Sequence, residues 1–149
     1  MAEFLEFTVD KFTFRVATDR YYSEEGIWAK ADGDQIIVGM SDYLQQRSGD
    51  IAFAEVVEAG TAVTAGEPFA DIETIKADLE LSSPVSGILQ AINDKLDFEP
   101  EIINQEPYAA GWMAAILAAD WAAEMTDLLA PEAYFAHIKS DAQQELENL

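Results

Sequence analysis

The 149-residue sequence contains no cysteine, so disulfide bridges, zinc–cysteine centres and a cysteine nucleophile are excluded. Basic residues are scarce: 8 Lys and Arg stand against 29 Asp and Glu, a formal charge of -21 at pH 7. Nucleic acid and anionic membrane surfaces are bound by clustered Lys and Arg, so this balance argues against both partners. The acidity is consistent with a solvated surface, with adaptation to high salt, or with docking to basic patches on partner enzymes.

Long apolar runs are absent as well. No stretch has transmembrane length, and the acidic start over residues 1–6 lacks a cationic segment followed by an apolar one. The sequence therefore predicts a cytoplasmic protein. Half of the residues are apolar, and a chain of this length can bury a real hydrophobic core, so we expect one domain spanning residues 1–149.

The signatures of a self-sufficient catalytic or metal site are also missing. We find no P-loop, Rossmann glycine fingerprint, HExxH or GxSxG motif. The single histidine, His137, has no plausible catalytic partner and is predicted at the surface or its boundary. The fragment Asp32-Gly33-Asp34 lacks the later ligands of a calcium loop and is interpreted as a turn. We predict no catalytic residue, no metal site and no enzyme activity.

Short strands with glycine punctuation fill most of the chain, which is typical of an antiparallel sandwich or barrel. Asp32-Gly33 lies between two apolar runs and predicts a hairpin. Ser41 can cap a short helix over 42–47. The predicted strands cover two runs within 3–17 joined near Asp10–Lys11, then 27–30, 35–39, 51–58, the vicinity of Val63, 68–74, 79–82 and 86–92.

The composition changes after the run Gly111–Ile116, and helices are expected beyond it. An Ala-rich helix is predicted from about Asp120, and Pro131 suits the first turn of another helix. We therefore expect a core over about 20–118 and C-terminal helices over about 120–147. The apolar faces of these helices are expected to pack on the sheet: Trp121, Met125, Leu128 and Leu129 for the first, and Tyr134, Phe135 and Ile138 for the second.

Lys76 is the only lysine between Lys30 and Lys95, and it lies at a predicted turn between two strands. Nearby carboxylates stabilise its cation, so it is a poor general base or Schiff-base former by itself. It suits the role of acceptor when another enzyme supplies a base and an activated acyl group. The alternative is an ordinary surface lysine at a hairpin tip. The neighbouring carboxylates are Glu73, Asp78 and Glu80.

The residues on either side of Lys76 favour its role as an acceptor of an acyl group over that of an ordinary surface lysine. The segment Glu73-Thr74-Ile75-Lys76-Ala77 resembles the Glu-(Ser/Thr)-x-Lys-Ala acceptor site of lipoyl domains. Biotin carriers usually have methionine on both sides of their lysine, unlike this chain. The resemblance implies covalent lipoate on Lys76, with Glu73, Thr74 and Ala77 recognised as the acceptor motif.

Further motifs narrow the family. Ser83-Pro84-Val85-Ser86-Gly87 resembles a Pro-Val-Ser-Gly motif, and Pro100–Trp112 resembles Pro-Glu-Leu-Val-Asn-x-(Asp/Glu)-Pro-Tyr-x-x-Gly-Trp. Upstream, Ile37–Asp42 resembles a Val-Gly-Ile-Thr segment, and Gly49–Ile51 resembles Gly-Asp-Ile/Met. All four motifs belong to the glycine cleavage system H protein family. The resemblance covers roughly residues 21–137.

The resemblance implies a mainly β fold, a flattened antiparallel sandwich of the biotinyl/lipoyl (hammerhead) type with added C-terminal helices. It also implies a swinging-arm carrier whose lipoate shuttles an intermediate between partner enzymes. A flexible arm raises the effective concentration of the reactive sulfur at a docked partner, so weak protein contacts can suffice. The implied partners are a lipoate ligase or lipoyl transferase, the enzymes that load and unload the arm, and dihydrolipoyl dehydrogenase.

One departure from the family bears on the cargo. H proteins commonly carry Glu-His-Glu-Trp, whereas this chain has Glu24-Glu25-Gly26-Ile27-Trp28 and a longer, strand-like start over 4–19. In the family the loaded arm can fold into a shielding cleft, and altered neighbours there change what it can hold. We therefore favour an H-like lipoate-binding protein that carries sulfur for a heterodisulfide-reductase-like complex. The alternatives are a glycine cleavage H protein carrying an aminomethyl group and a non-lipoylated interaction module.

Overall fold

The structure is a computed structural model that describes residues 3–147. Its strands are β1 (Phe4–Val9), β2 (Phe12–Ala17), β3 (Tyr21–Tyr22), β4 (Ile27–Asp32), β5 (Gln35–Met40), β6 (Ile51–Val56), β7 (Ala62–Val63), β8 (Pro68–Thr74), β9 (Asp78–Ser82), β10 (Gly87–Ile92) and β11 (Ala114–Ala118). Its helices are α1 (Asp42–Ser48), α2 (Ile102–Gln105), α3 (Trp121–Glu124) and α4 (Pro131–Glu147), with 3-10 turns at Asp94–Asp97 and Met125–Asp127. In the described part of the chain, no helix combines the length and apolarity that crossing a membrane requires.

The strands form three antiparallel sheets. One sheet has the order β3-β4-β5-β11-β10-β7, a second has β6-β8-β9, and β1 pairs with β2 alone. Along β8, Phe69 and Ile72 are buried while Asp71 and Glu73 are exposed, so the strand turns its apolar side inward. Buried residues of the two larger sheets form one continuous core. The predicted antiparallel β-sandwich with C-terminal helices is confirmed.

A second, aromatic cluster lies outside this sandwich core. It joins the β1–β2 hairpin to α1 and α4. The ring of Phe14 meets Tyr43 edge-on at 4.9 Å, and Phe7 meets Phe135 edge-on at 5.3 Å. Such aromatic pairs favour tilted and edge-on contacts because ring edges are positive and ring faces negative. The cluster fixes the N-terminal hairpin against both helices.

The motif Ser83–Gly87 has a structural role in this fold. A Cβ on Gly87 would lie 2.1 Å from the carbonyl oxygen of Leu117, so only glycine lets β10 approach β11 this closely. The Ser86 amide and hydroxyl both donate to the Glu124 carboxylate, each at 2.8 Å. The motif therefore lets β10 pack closely against β11 and links β10 to α3 through hydrogen bonds.

In the C-terminal third, one sequence expectation was wrong and one strand was missed. The Ala-rich helix from Asp120 ends as the four-residue α3, since Met125–Asp127 tightens into a 3-10 turn and Leu128 is extended. Strand β11 was not predicted. Its run Ala-Ala-Ile-Leu-Ala lies between β5 and β10 and is largely buried, and a short apolar run without alternation does not distinguish strand from helix.

Candidate functional site

Lys76 occupies the tip of the β8–β9 hairpin. The last paired residues before the tip are Glu73 and Asp78, and residues 74–77 form the connection. The turn is tight: the Thr74 amide donates to the Ala77 carbonyl oxygen at 2.9 Å. Ile75 beside the lysine is 77% exposed, and Lys76 is exposed as well. The hairpin therefore presents the amine to solvent at the end of two rigid strands.

The Thr74 hydroxyl organises this tip. Its oxygen accepts hydrogen bonds from the amides of Lys76 at 3.2 Å and Ala77 at 3.1 Å, and it donates to the Ala77 carbonyl at 3.0 Å. Short hydroxyl side chains close turns in this way because they reach backbone amides two or three residues on. A Ser or Thr at this place in the acceptor motif therefore has a local physical function.

We expect Thr74→Val to slow the lipoylation predicted at Lys76 several-fold, because the nearly isosteric side chain removes the hydroxyl that fixes the tip. The free energy of unfolding should fall by only about 1 kcal/mol, the usual net value of a hydrogen bond. Thr74→Ser retains the hydroxyl and is the matched control. Initial ligation rates and urea unfolding measure both effects. Equal ligation rates for the Val and Ser variants would show that the hydroxyl is dispensable.

The stem of Lys76 lies over the end of helix α1. A Cβ on Gly49 would lie 3.4 Å from Cε and 3.7 Å from Cδ of the lysine. Gly49 ends α1 with a left-handed φ of 87° and donates its amide to the Gln45 carbonyl oxygen. Glycine suits this helix end because of the positive φ, and even a Cβ at this position would only touch the lysine stem at ordinary contact distance.

Asn104, which sequence reasoning did not assign to the site, holds this platform together. Its amide nitrogen donates to the Gly49 carbonyl at 3.0 Å and to the Gln45 side chain at 2.9 Å. Its oxygen accepts from the Ile51 amide at 2.9 Å. The Asn of the Pro100–Trp112 motif thus joins the end of α1 to β6 beneath the lysine, and its place within that motif was the available signal.

Carboxylates crowd the outer face of the β6-β8-β9 sheet. The pairing register places Glu73 opposite Asp78 in one row, with Glu55, Asp71 and Glu80 in the next. Directly opposed side chains share one face of a sheet, so these like charges repel one another. Within residues 3–147, Lys76 forms no ion pair with any of them. The amine therefore stands free beside an acidic surface.

A groove of about 700 Å³ opens next to the lysine. We call it the hairpin groove. The β1–β2 hairpin forms one wall, α1 and α4 form another, and Lys76 is among the lining residues. Its lining side chains include Val9, Phe12 and Phe14 of the hairpin, Tyr43 and Arg47 of α1, and Glu145 of α4.

Helices α1 and α4 are joined beside this groove by polar contacts. Arg47 forms an ion pair with Glu145 and lies 3.8 Å from the Asp141 carboxylate. The Tyr43 hydroxyl donates to Asp141. Burial and this hydrogen bond to a carboxylate raise the pKa of Tyr43, so its hydroxyl stays neutral at physiological pH. The Arg47 cation is therefore neutralised by carboxylates of α4.

Other candidate groups lie away from the lysine. His137 is exposed on α4. Asp32-Gly33-Asp34 forms the predicted β4–β5 turn, with Gly33 at φ 65°. In residues 3–147, no group of three or more His, Asp or Glu is arranged to hold a metal ion.

Comparison with known proteins places these features in a family. The family model described as "Glycine cleavage H-protein" matches residues 20–141. A glycine cleavage system H protein of Bacillus cytotoxicus is 41% identical over 113 residues, covering 76% of this chain and 88% of the relative. The probable H protein of Haloarcula marismortui is 41% identical over 122 residues, covering 82% and 95%. The chain belongs to the glycine cleavage H-protein family.

A solved structure agrees with this assignment. The crystal structure of a glycine cleavage system H protein from Mycobacterium marinum superimposes with a TM-score of 0.74 at 28% identity, covering 82% of this chain and 98% of that one. The family resemblance inferred from the motifs is confirmed, and proteins of the H-protein family carry lipoate. The favoured sulfur-carrying interpretation receives no support from these relatives, which fit the glycine cleavage alternative better.

The departure from the family before Trp28 has a packing explanation. Gly26 takes the place of the common histidine, two residues before Trp28. A Cβ on Gly26 would lie 3.0 Å from both the Tyr134 hydroxyl and Leu44 Cβ, and Gly26 has a φ of 108°. The Tyr134 hydroxyl shares a 2.7 Å hydrogen bond with Ser41. The packing of α4 against α1 therefore leaves little room for a side chain at position 26.

Proposed function

We propose that this protein is an H protein of glycine cleavage, with lipoate amide-linked to Lys76. The observation that carries the proposal is the exposed lysine at a Thr74-closed hairpin tip, within a chain whose family match spans 20–141. The protein is a carrier on which partner enzymes act. Residues 1–149 serve as one carrier domain, with a core of about 20–118 and helices over about 120–147.

The residues around Lys76 fit a lipoyl group. The amine is exposed and forms no ion pair in the described chain, so a ligase or lipoyl transferase can acylate it without breaking a contact. Glu73, Thr74 and Ala77 present a fixed tip for recognition. When bound, lipoate would supply a redox-active disulfide at the end of a flexible arm, on which the partner enzymes would act. The protein itself holds the arm at the hairpin tip. Its sequence has no cysteine that could exchange with the disulfide of the arm.

The acidic sheet face supports transient docking to basic partner surfaces. Five carboxylates lie on the β8–β9 hairpin and the adjacent strand β6: Glu55, Asp71, Glu73, Asp78 and Glu80. Such a field speeds encounter with a basic patch, and exposed charges of this kind are screened by salt. The tethered arm raises local concentration, so a carrier needs only weak docking. The proposed partners are the glycine decarboxylase, the folate-dependent transferase and the dihydrolipoyl dehydrogenase.

Two measurements test the proposal. After incubation with lipoate and a competent ligase, the intact mass should rise by one lipoyl group, and peptide mapping should place it on Lys76. The lipoylated chain should then support glycine decarboxylation by the partner enzymes, whereas the unmodified chain should not. A lipoylated chain that gives no glycine turnover but accepts sulfur from a sulfur-transfer enzyme would restore the sulfur-carrying alternative. Full function without lipoate would favour the interaction module.

A further inference from the structure

The β1–β2 hairpin lies before residue 20, where the match to the H-protein family model begins, and it forms a two-stranded sheet of its own. Such a sheet has two edges, each with backbone N–H and C=O groups that point away from the paired strand. Natural proteins usually cover these edges, because an open edge can pair with a strand of another molecule. The two edges of this hairpin differ in how they are covered.

The β2 edge is covered by its own chain. The Arg15 amide donates to the Asp42 carboxylate at 2.9 Å, and the Arg15 carbonyl oxygen accepts from the Tyr108 hydroxyl at 2.7 Å. The Thr13 carbonyl oxygen accepts from the Gln46 side chain at 2.9 Å. Side chains of α1 and the Tyr108 hydroxyl therefore take the place of a neighbouring strand.

The β1 edge is open. The Thr18 amide donates to the Glu3 carbonyl oxygen at 2.9 Å, so Glu3 bonds to the strand across the hairpin. Because residues alternate along an antiparallel strand, Phe4, Glu6 and Thr8 direct their backbone groups away from β2. All three residues are exposed, and within residues 3–147 no hydrogen bond reaches their outward amides or carbonyls. Strand β1 pairs in regular register and contains neither proline nor glycine.

The other sheets do not offer a comparable edge in the described part of the chain. The six-stranded sheet ends in β3 and β7, which have two residues each. The three-stranded sheet ends in β6 and β9, whose pairing with β8 is interrupted by irregularities of register and whose exposed side carries Glu55 and Glu80. Short strands, bulges and charges all oppose strand addition, so β1 is the edge best suited to it.

The hairpin is also nearly neutral. Residues 3–20 contain four acidic and three basic residues: Glu3, Glu6, Asp10 and Asp19, and Lys11, Arg15 and Arg20. Nearly all of the formal charge of -21 therefore lies on the rest of the chain. A basic partner is attracted to the acidic β6-β8-β9 face, whereas two copies of this acidic chain repel each other least where their charge is low. The charge distribution favours a second copy as the occupant of the β1 edge.

We propose that β1 pairs antiparallel with β1 of a second copy about a two-fold axis at Glu6, so that the two hairpins form one sheet. In a two-fold dimer the same patch is used by both copies, and every contact occurs twice. This register places Phe4, which is 43% exposed, opposite Thr8 of the second copy. Pairs of an aromatic and a β-branched residue stabilise sheets. At the axis the two Glu6 side chains meet, and each is bonded to its own Arg15 at 3.1 Å, which offsets their repulsion.

The dimer is expected to be weak. A single strand edge is a small interface, well below the roughly 1,600 Å² of a standard stable complex, so we expect a Kd on the order of 0.1 mM. Salt should strengthen the association, because the charge of -21 on each copy opposes it and salt screens that repulsion. The β1 edge does not include Lys76, so each copy keeps its acceptor lysine and the pairing does not depend on lipoylation.

Sedimentation equilibrium of the full chain, up to about 1 mM and at low and high salt, measures this association. Thr8→Pro removes an outward amide of the β1 edge, which the symmetric dimer uses twice, so the Kd should rise at least about tenfold. An unsubstituted chain that stays monomeric at about 1 mM in high salt overturns the proposal.

Thr13→Pro is the matched control. Thr13 lies opposite Thr8 in the hairpin, and their hydroxyls share a 3.0 Å hydrogen bond, so either substitution removes that contact. The Thr13 amide also points away from the strand across the hairpin, but on the edge that α1 covers. The control should dimerise as the unsubstituted chain does. An equal rise of the Kd in both variants contradicts the proposal, because it reports damage to the hairpin as a whole.

Amide hydrogen exchange tests the edge without any substitution. The Glu6 and Thr8 amides should exchange about fivefold more slowly at about 1 mM than at about 0.01 mM, where the dimer is dissociated. The Thr13 amide should show no such dependence on concentration. Exchange at Glu6 and Thr8 that is independent of concentration overturns the proposal, even where a proline variant fails to fold.

Discussion

Lys76→Arg is expected to abolish lipoylation and, with it, glycine turnover. The substitution keeps the positive charge and a long stem over Gly49, but a guanidinium stays protonated at neutral pH and is not the nucleophile that an acyl-transfer enzyme needs. Lys76 is exposed and forms no ion pair within the described chain, so the free energy of unfolding should change by less than about 0.5 kcal/mol. The loss of function should therefore occur in a fully folded protein.

Intact mass after ligation, glycine decarboxylation and urea unfolding together measure this result. Lys95→Arg is the matched control, because Lys95 is another exposed lysine and lies away from the acceptor hairpin. It should gain one lipoyl group and support normal turnover. A lipoyl group on the Lys76→Arg chain would assign the acceptor role to another lysine.

Trp28→Ala is expected to destabilise the fold by about 4 kcal/mol or more, since removing a buried aromatic leaves a large cavity. Trp28 is 1% exposed, and its ring lies across Gly39, where a Cβ would come within 2.7 Å of it. Its Nε1 donates to the carbonyls of Met40 at 3.1 Å and Pro107 at 2.9 Å. Truncation to alanine would remove the hydrogen bond that each of these two carbonyl oxygens accepts from Trp28.

The same change would uncover a buried cation. Arg20 is 4% exposed, and its guanidinium lies 4.6 Å from the centroid of the Trp28 ring. Cation–π contacts are strongest when both groups are removed from water, so this loss adds to the cavity cost. Urea unfolding followed by circular dichroism measures the total.

Trp28→Phe is the control for the tryptophan prediction. It retains an aromatic ring but removes the Nε1 donor, so its loss should be smaller, about 1–3 kcal/mol. If Trp28→Ala costs under about 1 kcal/mol, the ring does not anchor the sheet.

Local patterns predicted the hairpins well. Asp32-Gly33 marked the β4–β5 turn, and Asp10–Lys11 marked the β1–β2 turn, where Asp10 takes a φ of 57°. Ser41 caps α1 as expected, its side chain accepting from the Leu44 amide. These features depend on residues a few positions apart, so one stretch of sequence contains their cause.

Elements fixed by distant contacts were less predictable. Strand β11 is a strand because β5 and β10 pair with it on either side. Helix α3 is short because the chain leaves its axis at Met125–Asp127, and Leu129 then exchanges backbone hydrogen bonds with Tyr22. In both places tertiary pairing overrides the helix preference of alanine.

The sequence by itself determined the hairpin turn around Lys76, the family and the sandwich of short strands, because each depends on residues close together in the chain. Only the tertiary structure decided that Asn104 supports Gly49 beneath the lysine, and that the N-terminal hairpin lies beside the lysine as a groove wall. Those contacts join residues far apart in the chain. Their geometry depends on how the sheets, α1 and α4 pack, which no single segment encodes.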